Sequence, residues 1–134
     1  MINQNKNEPI IKEITFQTLN QGFYSDISQK NTIIIKSSAE WANLWTKMFP
    51  AQMIASAIDF DKSIIIAVFQ GQKSTGGYSI IIEKIIEQEK FIEIQIEETS
   101  PGENCIVTQA FTSPFHIIEM EKTDKEIKFT LQQE

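Results

Sequence analysis

Ser63 opens an unbroken apolar run, Ile64-Ile65-Ile66-Ala67-Val68-Phe69, with Asp59 and Asp61 ahead of it and Gly71 behind. Its length suits a strand rather than a helix, and its β-branched side chains favour extended backbone. A strand with no polar face must be covered on both sides. A layered fold around this segment is therefore expected, and 134 residues suffice for one domain with its own core.

The neighbouring sequence adds strands of a different kind. Tyr78 to Ile86 and Phe91 to Glu98 flank Glu87-Gln88-Glu89-Lys90, and Ile92, Ile94 and Ile96 alternate with Phe91, Glu93, Gln95 and Glu97. That pattern predicts an antiparallel hairpin with one buried face, its register placing Tyr78 roughly opposite Thr99. Ile11 to Leu19 reads as one edge strand, with Ile14 and Phe16 on one face and Asn20-Gln21-Gly22 ending it. Asn31 to Lys36, Cys105 to Phe111, Phe115 to Met120 and Glu126 to Leu131 complete the strands.

One helix is expected. Ser37-Ser38-Ala39-Glu40 forms a capping box, Trp41, Leu44, Trp45 and Met48 follow as one apolar stripe, and Pro50 stops it. Ala51 to Ile58 reads as a loop or short helix. The expected fold is mainly β: about eight mostly antiparallel strands in a sandwich or rolled sheet, with one helix from about Ser38 to Phe49 packed on it. Residues 1–10, rich in Asn and Gln, read as a flexible tail, and 11–134 as a single domain.

The net charge of −6 comes from 18 acids against 12 bases, all lysine. Without arginine there is no planar fork for phosphate or guanine, and an acidic surface repels a polyanion, so nucleic acid is not an expected partner. No apolar run is long enough for a membrane span, and Met1 to Glu8 is too polar for a signal peptide. On this reading either the chain is cytoplasmic or a leader was removed.

Few residues suggest chemistry. His116 is the only histidine and lies in an apolar stretch, as expected of a hydrogen-bonded core or edge residue. Cys105 is the only cysteine and is expected to be buried. Together they are too few ligands for zinc, although they permit a thiol nucleophile with a histidine base. Asp59 and Asp61, like Glu97 and Glu98, read as solvated charge, and Trp41 and Trp45 as core. No metal or cofactor is expected.

Thr75-Gly76-Gly77-Tyr78 is the most distinctive local feature. Adjacent glycines allow close approach of another chain, with the tyrosine as an aromatic anchor; alternatively they only shape a turn, with Tyr78 packed inward. The hairpin register gathers Gly71 to Gly77 and Ser100-Pro101-Gly102-Glu103-Asn104 at one end of the sheet. If Cys105 to Phe111 then returns as a strand, Thr112-Ser113-Pro114 falls at the opposite end, near Asp59-Phe60-Asp61.

The ordered string Ser-Ala-Glu-Trp-x-x-Leu-Trp (38–45), Ile58-Asp59-Phe60, Ile64 to Phe69, Ser74-Thr75-Gly76-Gly77-Tyr78-Ser79, Thr99-Ser100-Pro101-Gly102, Cys105 to Ala110 and Thr112 to His116 resembles the PrcB-type domain. That is the C-terminal domain of protease-complex subunits, and the resemblance runs from about Ser38 to the end of the chain. It implies a bacterial envelope or secreted protein that associates with a protease and stabilises it, with no activity of its own. Lys73 stands where the family pattern has an arginine-proline pair, which leaves that loop less rigid. Residues 75–78 alone also resemble the Thr-Thr-Gly-Tyr loop of chagasin-type cysteine-protease inhibitors.

The expected function is thus a non-catalytic protein-binding domain. Its expected partner-binding residues are Thr75, Gly76, Gly77, Tyr78, Ser100, Pro101 and Gly102. A direct protease inhibitor using the same loops is the alternative, and a small hydrolase using Cys105 and His116 the third reading.

Overall fold

The computed structural model describes residues 10–49 and 55–133. Most of the tail read at residues 1–10, the helix stop at Pro50 and residues 51–54 lie outside that range. Eight strands and one helix follow in the order β1 (Ile10–Ile14), β2 (Gln17–Gly22), β3 (Asn31–Ile35), α1 (Ser38–Met48), β4 (Ser63–Phe69), β5 (Ser79–Gln88), β6 (Phe91–Thr99), β7 (Phe115–Glu121) and β8 (Glu126–Gln133). One sheet has the order β1-β5-β6-β8 and the other β2-β7-β4-β3, with no closed barrel. Every pairing is antiparallel except β6 with β8.

β4 shows why both sheets are needed. Its even positions, Ile64, Ile66 and Val68, pack between the sheets with Ile80, Ile82, Ile92, Ile94 and Ile96. Its odd positions, Ile65, Ala67 and Phe69, pack under Trp41, Leu44 and Met48 of α1. A strand alternates its side chains between two faces, so a run with no polar position implies two apolar neighbours. Here they are a second sheet on one side and a helix on the other.

The helix begins as its capping box requires. Ser37 Oγ accepts from the N–H of Glu40 at 3.2 Å, and the Glu40 carboxylate accepts from the N–H of Lys36 at 2.9 Å, one residue before the cap. Trp41 is buried, with its indole N–H donating to the Ser56 carbonyl at 3.0 Å, while Trp45 is half-buried between Trp41 and Phe49.

Three sequence expectations change. The single edge strand over Ile11 to Leu19 is two strands: the chain bends at Thr15-Phe16 and crosses from one sheet to the other, so that Ile14 and Phe16 reach the same inter-sheet core from two sides. Asn20-Gln21-Gly22 extends β2 rather than ending it, with Gly22 opposite Phe115. Cys105 to Phe111 is not a strand. The free edge of β6 that it would have taken is filled by β8 in parallel, and Ile106, Ala110 and Phe111 stay exposed. The hairpin keeps its expected register within one residue, Ser79 rather than Tyr78 standing opposite Thr99.

Candidate functional site

The topology gathers three loops at one end of the sandwich. β2 ends and β7 begins there, at Gly22 opposite Phe115, and Phe69 of β4 pairs with both Phe115 and Asn31. β5 starts and β6 ends at the same level, with Ser79 opposite Thr99, and Gln70 Nε2 donates to the Thr99 carbonyl at 3.3 Å across the two sheets. Segments 23–30, 70–78 and 100–114 therefore share this end.

Main-chain hydrogen bonds stitch them together. Lys73 and Thr112 exchange bonds of 2.7 and 2.9 Å, Gly76 donates to the Thr108 carbonyl at 3.0 Å, Gln72 to Ser28 at 2.9 Å, and Ser113 to Phe23 at 2.7 Å. The Thr112 hydroxyl donates to the Thr75 carbonyl at 2.8 Å. Glu98, buried at the end of β6, is ion-paired with Lys30 of the neighbouring loop. Thr112-Ser113-Pro114 thus lies beside Gly71 to Gly77, not at the opposite end near Asp59-Phe60-Asp61. The reason is the missing strand: residues 105–111 loop back at the level where β6 left off.

The expected partner-binding residues are all at this end, but the glycines are engaged within the chain. Gly77 has φ of 92°, and a Cβ there would lie 2.8 Å from Cβ of Pro101 and 3.0 Å from Cγ1 of Val107. A Cβ on Gly76 would collide with the Thr108 hydroxyl. Both positions need glycine to let 100–108 approach, a requirement met without any partner. Tyr78 is half-buried with the Lys73 ammonium 5.1 Å from its ring centre, Thr75 and Pro101 are half-buried, and Ser100 and Gly102 are exposed.

The exposed apolar surface at this end comes from other residues. Phe23, Tyr24, Ile106 and Phe111 are exposed, Tyr24 by 65% and Phe111 by 67%. Tyr24 and Phe111 flank a groove of about 470 Å³ whose wall includes Met48 at the end of α1, Phe49 just after it, and Gln72 and Thr112 from the stitched loops. Sequence reasoning missed these residues because Phe111 was read into a strand and Phe23-Tyr24 carried no periodicity. The available signal was an aromatic pair directly after Gly22, outside any alternating stretch.

The groups capable of chemistry are kept apart. His116 is 4% exposed, and both its nitrogens are used: Nδ1 accepts from the N–H of Ile82 at 2.9 Å and Nε2 donates to Thr18 Oγ1 at 2.9 Å. Burial lowers its pKa from 6.5 to about 4. It is the hydrogen-bonded core histidine expected. Cys105, expected to be buried, is exposed on the 100–114 loop because that loop packs through Val107 and its main chain. Glu98, read as solvated, is the buried partner of Lys30, while Asp59 is exposed and its carboxylate accepts from the N–H of Asp61. Among the described residues no group of three or more His, Cys, Asp or Glu side chains is arranged to hold a metal ion, and no helix is long and apolar enough to cross a membrane.

No curated protein and no solved structure matches the chain. A family model does, over a segment that begins in β4 and ends in β7. That segment, residues 64–121, is similar to the family described as PrcB C-terminal.

Proposed function

We propose that this protein is a non-catalytic binding subunit that associates with a protease and stabilises it, through the loop end of the sandwich. The observation that carries the reading is the exposed aromatic surface of Tyr24 and Phe111 around the groove beside the stitched loops. Large aromatic side chains on a rigid support are the usual anchors of a protein interface, and contiguous exposed apolar surface is what such a site requires. The protease, and a place in the cell envelope, come from the family resemblance.

The internal packing of Gly76 and Gly77 and the Lys73 ammonium over Tyr78 weigh against an inhibitor that inserts residues 75–78 into a cleft. The engagement of both His116 nitrogens weighs against a Cys105/His116 hydrolase.

The test is capture of the protease from lysate by the full chain, by Tyr24→Ser and by Phe111→Ser, with melting curves beside it. Loss of capture by well-folded variants is the expected result; normal capture by both overturns the surface. With the partner in hand, a longer protease half-life at unchanged turnover supports stabilisation, whereas stoichiometric block of turnover means inhibition.

A further inference from the structure

The outer edge of β3 is open at one residue, and the hydrogen-bond parity of β4 shows which. Gln70, just past β4, donates to Pro114, and Lys62, just before it, accepts from Lys122. Even-numbered positions of β4 therefore turn their main-chain groups toward β7, and odd-numbered Ile65, Ala67 and Phe69 turn theirs toward β3. Their partners there are Ile35, Ile33 and Asn31. The main-chain groups of Thr32, Ile34 and Lys36 consequently point off the sheet. Two of those amides are closed locally, Thr32 by Asn31 Oδ1 and Lys36 by Glu40 Oε1, each at 2.9 Å. Ile34 keeps its N–H and C=O directed outward at the middle of the strand.

Beside this edge lies a groove of about 280 Å³, with Ile33, Ile35 and Leu44 as its apolar floor. The helix wall above it carries Glu40, Asn43 and Lys47. These three stand at i, i+3 and i+7, on one face of α1. Since Glu40 bonds Lys36 at the end of β3 and the helix then returns along the strand, the wall reads acid, amide, base from one end of β3 to the other. Neither Glu40 nor Lys47 has an ion-pair partner among the described residues. An acid-amide-base stripe is complementary to itself after a half-turn about its centre.

We propose that the β3 edge is the docking surface for a second copy of this chain, paired antiparallel about a two-fold axis at Ile34. Each Ile34 exchanges both main-chain bonds with its counterpart, and Ile33 meets the second copy's Ile35 over the groove floor. Glu40 faces the second copy's Lys47, and the contact occurs twice, as in any isologous interface. An unrelated extended peptide also satisfies Ile34 but leaves the stripe uncompensated, which is why the second copy is the better fit. Because Thr32 and Lys36 hold side-chain acceptors, the ladder is limited at its centre to one exchanging pair. The association is accordingly weak and concentration-dependent.

Sedimentation of the full chain from micromolar to millimolar concentration tests this, with melting curves to show that each variant is folded. The wild type is expected to dimerise reversibly, and the Ile34 amide to exchange more slowly with solvent as concentration rises. Lys47→Glu alone and Glu40→Lys alone each set like charges across the axis and weaken the dimer about tenfold or more. An equal mixture of the two variants restores opposite charges at both contacts and recovers association as a heterodimer. A wild type monomeric throughout, a dimer indifferent to the single substitutions, or a mixture that fails to recover overturns the proposal.

Discussion

His116 of β7 takes the main-chain N–H of Ile82 in β5 across the space between the two sheets, Nδ1 to N at 2.9 Å. β1 pairs with β5 only as far as Ile85, so this N–H lies just past the end of that strand partner. An imidazole accepting at Nδ1 must be neutral with its proton on Nε2, and the Thr18 hydroxyl receives that proton's bond. Burial, not a neighbouring charge, holds the pKa down at about 4.

The sign of the pH dependence follows. The unfolded chain binds the proton at the ordinary value near 6.5 and the folded chain only near 4. The contribution to stability is therefore complete above about pH 6.5 and is lost as pH falls toward 4. Melting temperatures across that window should drop for the wild type. His116→Gln should start lower and lack this component, so subtracting the two profiles isolates it. Parallel profiles would mean that the imidazole is charged in the fold.

The two tryptophans of α1 should differ. Trp41 is buried and hydrogen-bonded to Ser56, whereas Trp45 is half-buried. Trp41→Ala is expected to cost about 3–5 kcal/mol through lost contacts and the cavity left behind, and Trp45→Ala less. Urea titration measures both, and equal losses below about 1 kcal/mol would place the helix off the sheet.

Gly77→Ala introduces a side chain at φ of 92° and against Pro101 at once. A loss of roughly 1–3 kcal/mol is expected from the backbone strain alone, with added mobility of residues 100–108 visible in amide exchange. Gly102→Ala is the control, since its Cβ would come no nearer than 3.3 Å to the Cys105 sulfur. Comparable losses in the two would mean that the Gly77 contact is not what holds the loops together.

Cys105 is exposed and the only thiol. One equivalent of a maleimide should react with the folded protein without denaturant and leave the melting curve unchanged. A thiol that reacts only after unfolding would restore the buried reading.

The layers were readable because they obey short-range rules. A run with no polar face at Ile64 to Phe69 demanded two apolar neighbours, alternation at Phe91 to Glu97 set the hairpin, and Ser37 with Glu40 marked the helix start. The loop end was only half readable, because its geometry depends on which edge β8 occupies, a choice made far away in the chain. With β6 already flanked, Ile106-Val107 had no ladder to join, so strand-like residues became a loop and carried Thr112 to the other end. Tyr24 and Phe111 were invisible for the same reason: being exposed, they leave no periodic trace, and only the meeting of three loops sets them around one groove.

The strand orders β1-β5-β6-β8 and β2-β7-β4-β3 set β5 and β6 in the middle of one sheet and β7 and β4 in the middle of the other. These four are the strands within the family-matching segment, and every edge strand comes from outside it. The matched segment is thus an inner quartet that cannot stand alone, since cutting the chain to residues 64–121 would bare both flanks of both sheets and the face of β4 that the helix covers. What surrounds the quartet lies outside the family match. The rims, rather than the centre, are the part of the fold that the family match leaves undescribed.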